Sequence, residues 1–114
     1  MGKTGVMGAF EELVLLALLH QGDEAYAVSI RRELTERSGS DVAMGAVYAT
    51  LDRLEKKGFV ETRDDAAHES RRGRPRRYYR ILEAGTAALH ETRRVRETMW
   101  SGIDLATLPP ERTT

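Results

Sequence analysis

MGAVYATLDRLEKKGFVETR, residues 44–63, changes its period part-way along, and the place where it changes decides the fold. Val47, Leu51 and Leu54 recur at i, i+4 and i+7, which is one apolar face of a helix. Lys56 and Lys57 lie at the negative end of that helix's dipole, and Gly58 suits the C′ position, where a left-handed residue closes the last turn. Phe59 is then placed to pack back on Leu54, as in a Schellman motif. FVETR, rich in β-branched and aromatic residues, continues as a strand. The spacing predicts a helix that stops near Lys57 and passes directly into a strand.

Upstream, residues 10–20 carry Phe10, Leu13, Val14, Leu16, Ala17 and Leu18, a wide helical stripe expected to be buried on most sides. Glu11 and Glu12 suit its N-terminal end, Gly22 can close it in the left-handed conformation, and Asp23 is a natural N-cap for a second helix. That helix places Tyr26, Ile30 and Leu34 on one face and should stop at Ser38-Gly39. Downstream, RRYYRI (76–81) reads as a second, antiparallel strand, with at least one of Tyr78 and Tyr79 expected in the core because strand side chains alternate faces. The twelve residues between the strands, 64–75, are too many for a tight turn and predict a long protruding loop. A fourth helix over 83–103 runs about 30 Å, longer than so small a core requires. Three helices, a hairpin and a final helix define a mainly α chain with a small β-hairpin: a winged helix-turn-helix followed by a long C-terminal dimerisation helix. The expected division is a winged-helix domain over 8–82, the dimerisation helix over 83–108, and a disordered tail over 109–114, opened by Pro109 and Pro110.

Composition narrows the function. The chain has 114 residues, 18 basic and 18 acidic side chains, and no cysteine, which excludes a disulfide framework and thiolate metal sites. The start MGKTGVMGAF lacks the charged n-region and apolar core of a secretion signal, and the longest apolar run, 13–19, is far short of the roughly twenty residues that span a bilayer. An intracellular, soluble, cytoplasmic protein with no membrane partner is expected. The zero net charge hides a local field: six arginines, Arg71, Arg72, Arg74, Arg76, Arg77 and Arg80, fall within residues 69–81.

That cluster and the third helix are the candidate site. With Val47, Leu51 and Leu54 turned inward, Gly45, Ala49, Asp52, Arg53 and Lys56 lie on the opposite face, flanked by Ala46 and Tyr48. Small residues in the first turns and basic ones later suit close approach to a major groove, with arginine able to reach base edges or phosphates and the tyrosine hydroxyl able to hold the backbone. In the loop the first half, DDAAHE, is acidic and the second, SRRGRP, basic, so only the returning limb (Arg71, Arg72, Gly73, Arg74 and Arg76) would grip phosphate. Gly73-Arg74-Pro75 resembles the Gly-Arg-Pro core of AT-hook peptides, which insert arginine into narrow minor grooves. The plainer readings are edge-strand protection and an ordinary solvated loop. Ala88, Thr92, Val95 and Met99 repeat at 4-3-4 spacing on the fourth helix, with Leu89, Trp100 and Ile103 beside them, a stripe expected to meet a second copy of the chain; the alternative is packing on the chain's own first helix. His20, His68 and His90 are isolated, HES is not an HExxH zinc site, and no phosphate loop or activated nucleophile is visible. No catalysis, cofactor or metal is expected.

FEELVLLALLHQGDEAYAVSI, GAVYATLDRLEKKGFVETR and GRPRRYYRILEAGTAAL, in this order and spacing, resemble the PadR family of transcriptional regulators, in its short form with one C-terminal dimerisation helix. The resemblance runs over about residues 10–103. It implies a homodimeric winged helix that binds double-stranded DNA at inverted repeats, represses promoters, and is released by small, often planar aromatic molecules. By position, Gly45, Ala46, Tyr48, Ala49 and Arg53 would fall on the recognition helix, with Tyr48 contacting the DNA backbone, and residues 71–76 on the wing. Trp100 becomes a candidate for stacking on such an effector in a cavity between terminal helices, against its plainer reading as an interface anchor. Where the family commonly caps its third and fourth helices with Ser or Thr, this chain has Ala43 and Leu82, so those helix starts should fray or find another partner such as Asp41. A rival reading keeps the winged helix but uses it for docking to a protein.

Overall fold

The handover at Gly58 closes as a Schellman motif: Phe59 N–H donates to the Leu54 carbonyl at 2.9 Å, Gly58 N–H to that of Glu55 at 3.0 Å, and Gly58 has φ of 76°. Around it, a computed structural model describes residues 4–69 and 75–107. The elements are α1 (Ala9–Gln21), α2 (Ala27–Ser38), α3 (Met44–Lys56), β1 (Val60–Glu69), β2 (Pro75–Ile81) and α4 (Glu83–Trp100), with short 3-10 turns at Gly22–Glu24 and Leu105–Thr107. The core gathers Val14, Leu15 and Leu18 of α1, Ile30 and Leu34 of α2, Val47, Leu51 and Leu54 of α3, and Val60 and Tyr79 of the hairpin. Burying each large aliphatic side chain stabilises by about 1.5–3 kcal/mol, so this one cluster joins all three helices to the sheet.

Three expectations change. The first concerns α1: Leu13, Leu16 and Leu19 are 46%, 39% and 46% exposed, so the helix is covered on one side and presents an apolar row on the other. The second concerns the start of α2. Asp23 does not cap it; residues 22–24 form the 3-10 turn, and the chain then runs extended through Ala25 and Tyr26. There Tyr26 pairs with Tyr78 as an antiparallel bridge, and Tyr79 N–H donates to the Ala25 carbonyl at 2.8 Å. Pairing with a distant strand thus outweighs an early helix start. Ser29 completes the entry, its hydroxyl accepting from Tyr26 N–H at 3.0 Å and donating to the Tyr26 carbonyl at 2.9 Å. At the far end the structure agrees with the sequence: Gly39, φ 73° and ψ 9°, closes α2.

The third change is the hairpin. Of the span expected as a loop, 64–69 and Pro75 are strand and the rest lies outside the described residues: pairing continues outward from Val60↔Ile81 through Asp64↔Arg77 and Asp65↔Arg76, then slips by a bulge to Glu69↔Pro75. Asp64 and Asp65 oppose Arg77 and Arg76, and opposite charges directly across a ladder favour pairing. Helices α3 and α4 begin at Ala43 and Leu82 without a side-chain cap. Asp41 does not substitute, because its carboxylate lies 2.7 Å from the Arg31 guanidinium. The fourth helix ends at Trp100 rather than residue 103, with Ser101 N–H donating to the Glu97 carbonyl.

Candidate nucleic-acid interface

Helix α3 is fixed from behind by its core face, and the residues opposite are free to meet a ligand. Gly45, Ala46, Tyr48, Ala49, Asp52, Arg53 and Lys56 are all exposed, Tyr48 by 50%. A Cβ at Gly45 would meet nothing within 4 Å, so packing within the chain does not require glycine there; the bare backbone leaves room for close approach from outside. Arg53 is held along the helix by donating to Thr50 Oγ1 at 2.9 Å, and its guanidinium lies 3.7 Å from the Glu11 carboxylate. Glu11 is buried and accepts from Lys57 Nζ at both oxygens, at 3.0 and 2.9 Å, which ties the C-terminal end of α3 to α1.

The hairpin divides its arginines by partner. Arg77 lies 3.1 Å from Asp64 across the ladder, and that hydrogen bond raises its pKa further above the usual guanidinium value. Arg80 is bonded to Glu61 in the same way. These two are largely neutralised where they stand. Arg76, half-buried, lies over the Tyr26 ring at 4.1 Å from its centroid. The Tyr26 and Tyr78 rings meet edge to face at 6.2 Å, and Arg63 caps Tyr78 at 4.6 Å. The expected grip residues Arg71, Arg72, Gly73 and Arg74 lie outside the described residues.

A cleft of about 600 Å³ between α3, the start of α2 and the hairpin has Tyr48 and Asp52 on one wall, Arg76 and Arg77 on the other, and Tyr26 and Val28 at the base. The structure therefore brings two of the predicted residues, Tyr48 and Arg76, to one opening, while Gly45, Ala46 and Ala49 lie on the exposed face of α3. The sequence reading put Tyr26 on the apolar face of the second helix, whereas it is the extended residue before that helix and lines the cleft; the 44% exposed Val28 was not singled out. The available signal was an aromatic residue directly before a helix start.

The α4 stripe divides in two. Ala88, Leu89 and Val95 are half-buried, with Leu89 packed against the core. Thr92 is fully buried within its own chain, its hydroxyl accepting from Met7 N–H at 3.1 Å, so it faces the N-terminal segment instead of an outer surface. Beyond it Met99, Trp100 and Ile103 are 73%, 57% and 52% exposed. Arg96 reaches back to Glu12 of α1 at 3.0 Å, and Leu16, Leu19 and Leu89 line an open groove between the two helices. Among the described residues no cluster of acidic or histidine side chains could hold a metal, and no helix is long and apolar enough to cross a membrane.

With this geometry in hand, likeness to known proteins is decisive. Residues 15–91 match the Transcriptional regulator PadR-like family. The transcriptional regulator Rv3488 of Mycobacterium tuberculosis is 38% identical over 88 residues, 75% of this chain and 78% of that protein. Among solved structures, a PadR-like transcriptional regulator of Bacillus cereus superposes with a TM-score of 0.63 at 26% identity, covering 82% of this chain and 85% of the other. RosR of H. salinarum gives 0.64 at 26% identity, covering 86% and 81%. The chain belongs to the PadR-like family of transcriptional regulators and is a winged helix of that family, not an enzyme.

Proposed function

We propose that the protein is a homodimeric repressor that reads an inverted repeat in double-stranded DNA, with its winged helix (8–82) as the reading unit and its terminal helix (83–108) as the joint. The observation that carries this reading is the exposed α3 surface, small at Gly45, Ala46 and Ala49 and basic at Arg53 and Lys56, on the helix whose Tyr48 shares a cleft with Arg76 of the hairpin. An exposed helix of that composition beside a cationic ribbon fits a major groove with its flanking phosphates. Arg53 and Tyr48 read or brace the groove; Lys56, Arg76 and the arginines at 71, 72 and 74 neutralise phosphates. Two copies joined at Met99, Trp100 and Ile103, with Ala88, Leu89 and Val95 lining the seam, set their α3 helices about one helical turn, 34–36 Å, apart. A planar aromatic effector seated on Trp100 between the two terminal helices changes that spacing and weakens the specific complex.

A mobility-shift titration over a range of salt concentrations tests the reading. Tight binding should weaken steeply with salt, each neutralised phosphate adding about 0.9 to the log-log slope. Arg74→Ala should flatten the slope and weaken all duplexes alike, and Arg53→Ala should relax preference at one position of each half-site. Failure to bind any duplex at moderate salt would favour the protein-docking use of the same surface.

A further inference from the structure

We propose that Tyr26, at the entry to α2, is the positioning residue of the wing: its ring seats Arg76 so that the guanidinium is ordered for a backbone phosphate before DNA arrives. The inference rests on the DNA-binding reading above and adds to it a residue outside both the recognition helix and the hairpin.

Contacts from the hairpin and from α2 converge on this position and its neighbours. The Arg76 guanidinium carbon is 4.1 Å from the Tyr26 ring centroid, on the ring face. The same ring meets Tyr78 edge to face at 6.2 Å and 88°, and Tyr78 carries Arg63 at 4.6 Å on its own ring. The Tyr26 backbone bridges to Tyr78, Tyr79 N–H donates to the Ala25 carbonyl, and Ser29 exchanges two hydrogen bonds with the Tyr26 main chain. Tyr26 is therefore fixed from both sides, by the helix it caps and by the strand it joins.

An arginine on a hairpin loses considerable side-chain freedom when it binds phosphate, and stacking on a fixed aromatic face removes part of that loss in advance. A guanidinium held over a ring face by cation–π attraction still has N–H groups turned away from the ring, which a phosphate oxygen can accept. The partner of Arg76 in the ladder is Asp65, so one acidic neighbour stands across the strand as well. Arg77 and Arg80 lie in carboxylate pairs, whereas Arg76 opens with Tyr26 and Tyr48 onto the cleft beside α3.

The test is a double-mutant cycle read by duplex binding against salt, using the full chain. Tyr26→Phe keeps the ring and should bind within about twofold of the unmutated protein. Tyr26→Leu removes the π face and should weaken binding about tenfold while lowering the salt slope by about 0.9, one phosphate contact. Placed on Arg76→Gln, which itself lowers the slope by the same amount, Tyr26→Leu should add nothing. Arg76→Lys keeps the charge but not the guanidinium over the ring and should weaken binding much as Tyr26→Leu does, a check that holds even if the leucine variant folds poorly. Equal losses from Tyr26→Leu in both backgrounds, an unchanged slope, or normal binding by Arg76→Lys would overturn the inference alone. No duplex binding by the unmutated chain would overturn the reading on which it rests.

Discussion

Glu11 is a carboxylate buried to 7% exposure in the first turn of a largely apolar helix, and its partners explain why it is tolerated. The Lys57 ammonium supplies both oxygens with charged hydrogen bonds, and Arg53 adds a more distant positive charge. Glu11→Gln keeps the shape and loses the charge; because Lys57 is half exposed, the cost should be about 1 kcal/mol, seen as a lower urea midpoint at unchanged m-value. Tyr79 gives a second prediction at this scale. Burial raises its phenol pKa above the ordinary value of about 10, with the Arg77 charge pulling the other way. The folded state therefore favours the protonated phenol, so its contribution is complete below pH 10 and is lost as pH rises through the folded-state value. Alkaline titration of stability should show the loss beginning near pH 10 and reduced in Tyr79→Phe; an identical profile in the variant would contradict it. Strand alternation led to the expectation that at least one of Tyr78 and Tyr79 is core, and both prove buried, at 7% and 5%. Tyr79 enters the core, and Tyr78 is covered by Tyr26 and Arg63, a cover that no local pattern reveals.

Among the elements, those whose ends are set by neighbours in sequence were legible. The stop of α3 needs only Leu54, Glu55, Gly58 and Phe59, all within six residues, and the stop of α2 needs only Gly39. What depended on distant partners was not: the late start of α2 follows from pairing with Tyr78 and Tyr79, and the long ladder follows from acidic residues meeting arginines more than ten positions away. Helix α4 offers a test in which local preference and packing disagree. Alanine is worth about 1 kcal/mol more than glycine inside a helix. A Cβ at Gly85, however, would lie 2.5 Å from the Phe59 carbonyl oxygen and 2.8 Å from Ile81 Cγ1, and Leu82 N–H already donates to that same carbonyl. Gly85→Ala should therefore destabilise by about 1–3 kcal/mol, read from the thermal midpoint; a stabilised variant would show that the junction of β2 and α4 yields easily.

At the scale of the whole molecule, shape points outward. The radius of gyration is 17.5 Å and the long axis 58 Å, where a compact chain of this length would have a radius near 13 Å. Helix α4 buries only Gly85 and Thr92, and the apolar side chains at its far end, together with Leu13, Leu16 and Leu19 of α1, stand uncovered. Surface of that kind on so small a chain fits association with a second copy. The candidate site was legible in part: the α3 face is where its period puts it, but the cationic surface of the hairpin is reduced by the Asp64–Arg77 and Glu61–Arg80 pairs, which depend on a register the sequence did not disclose. The central claim is that two such molecules read DNA together, each through α3 and its wing. Selecting bound duplexes from a random pool tests it most directly. The account predicts enrichment of an inverted repeat whose half-sites are centred about one helical turn apart; recovery of unrelated sequences, or of a single unrepeated half-site, would contradict it.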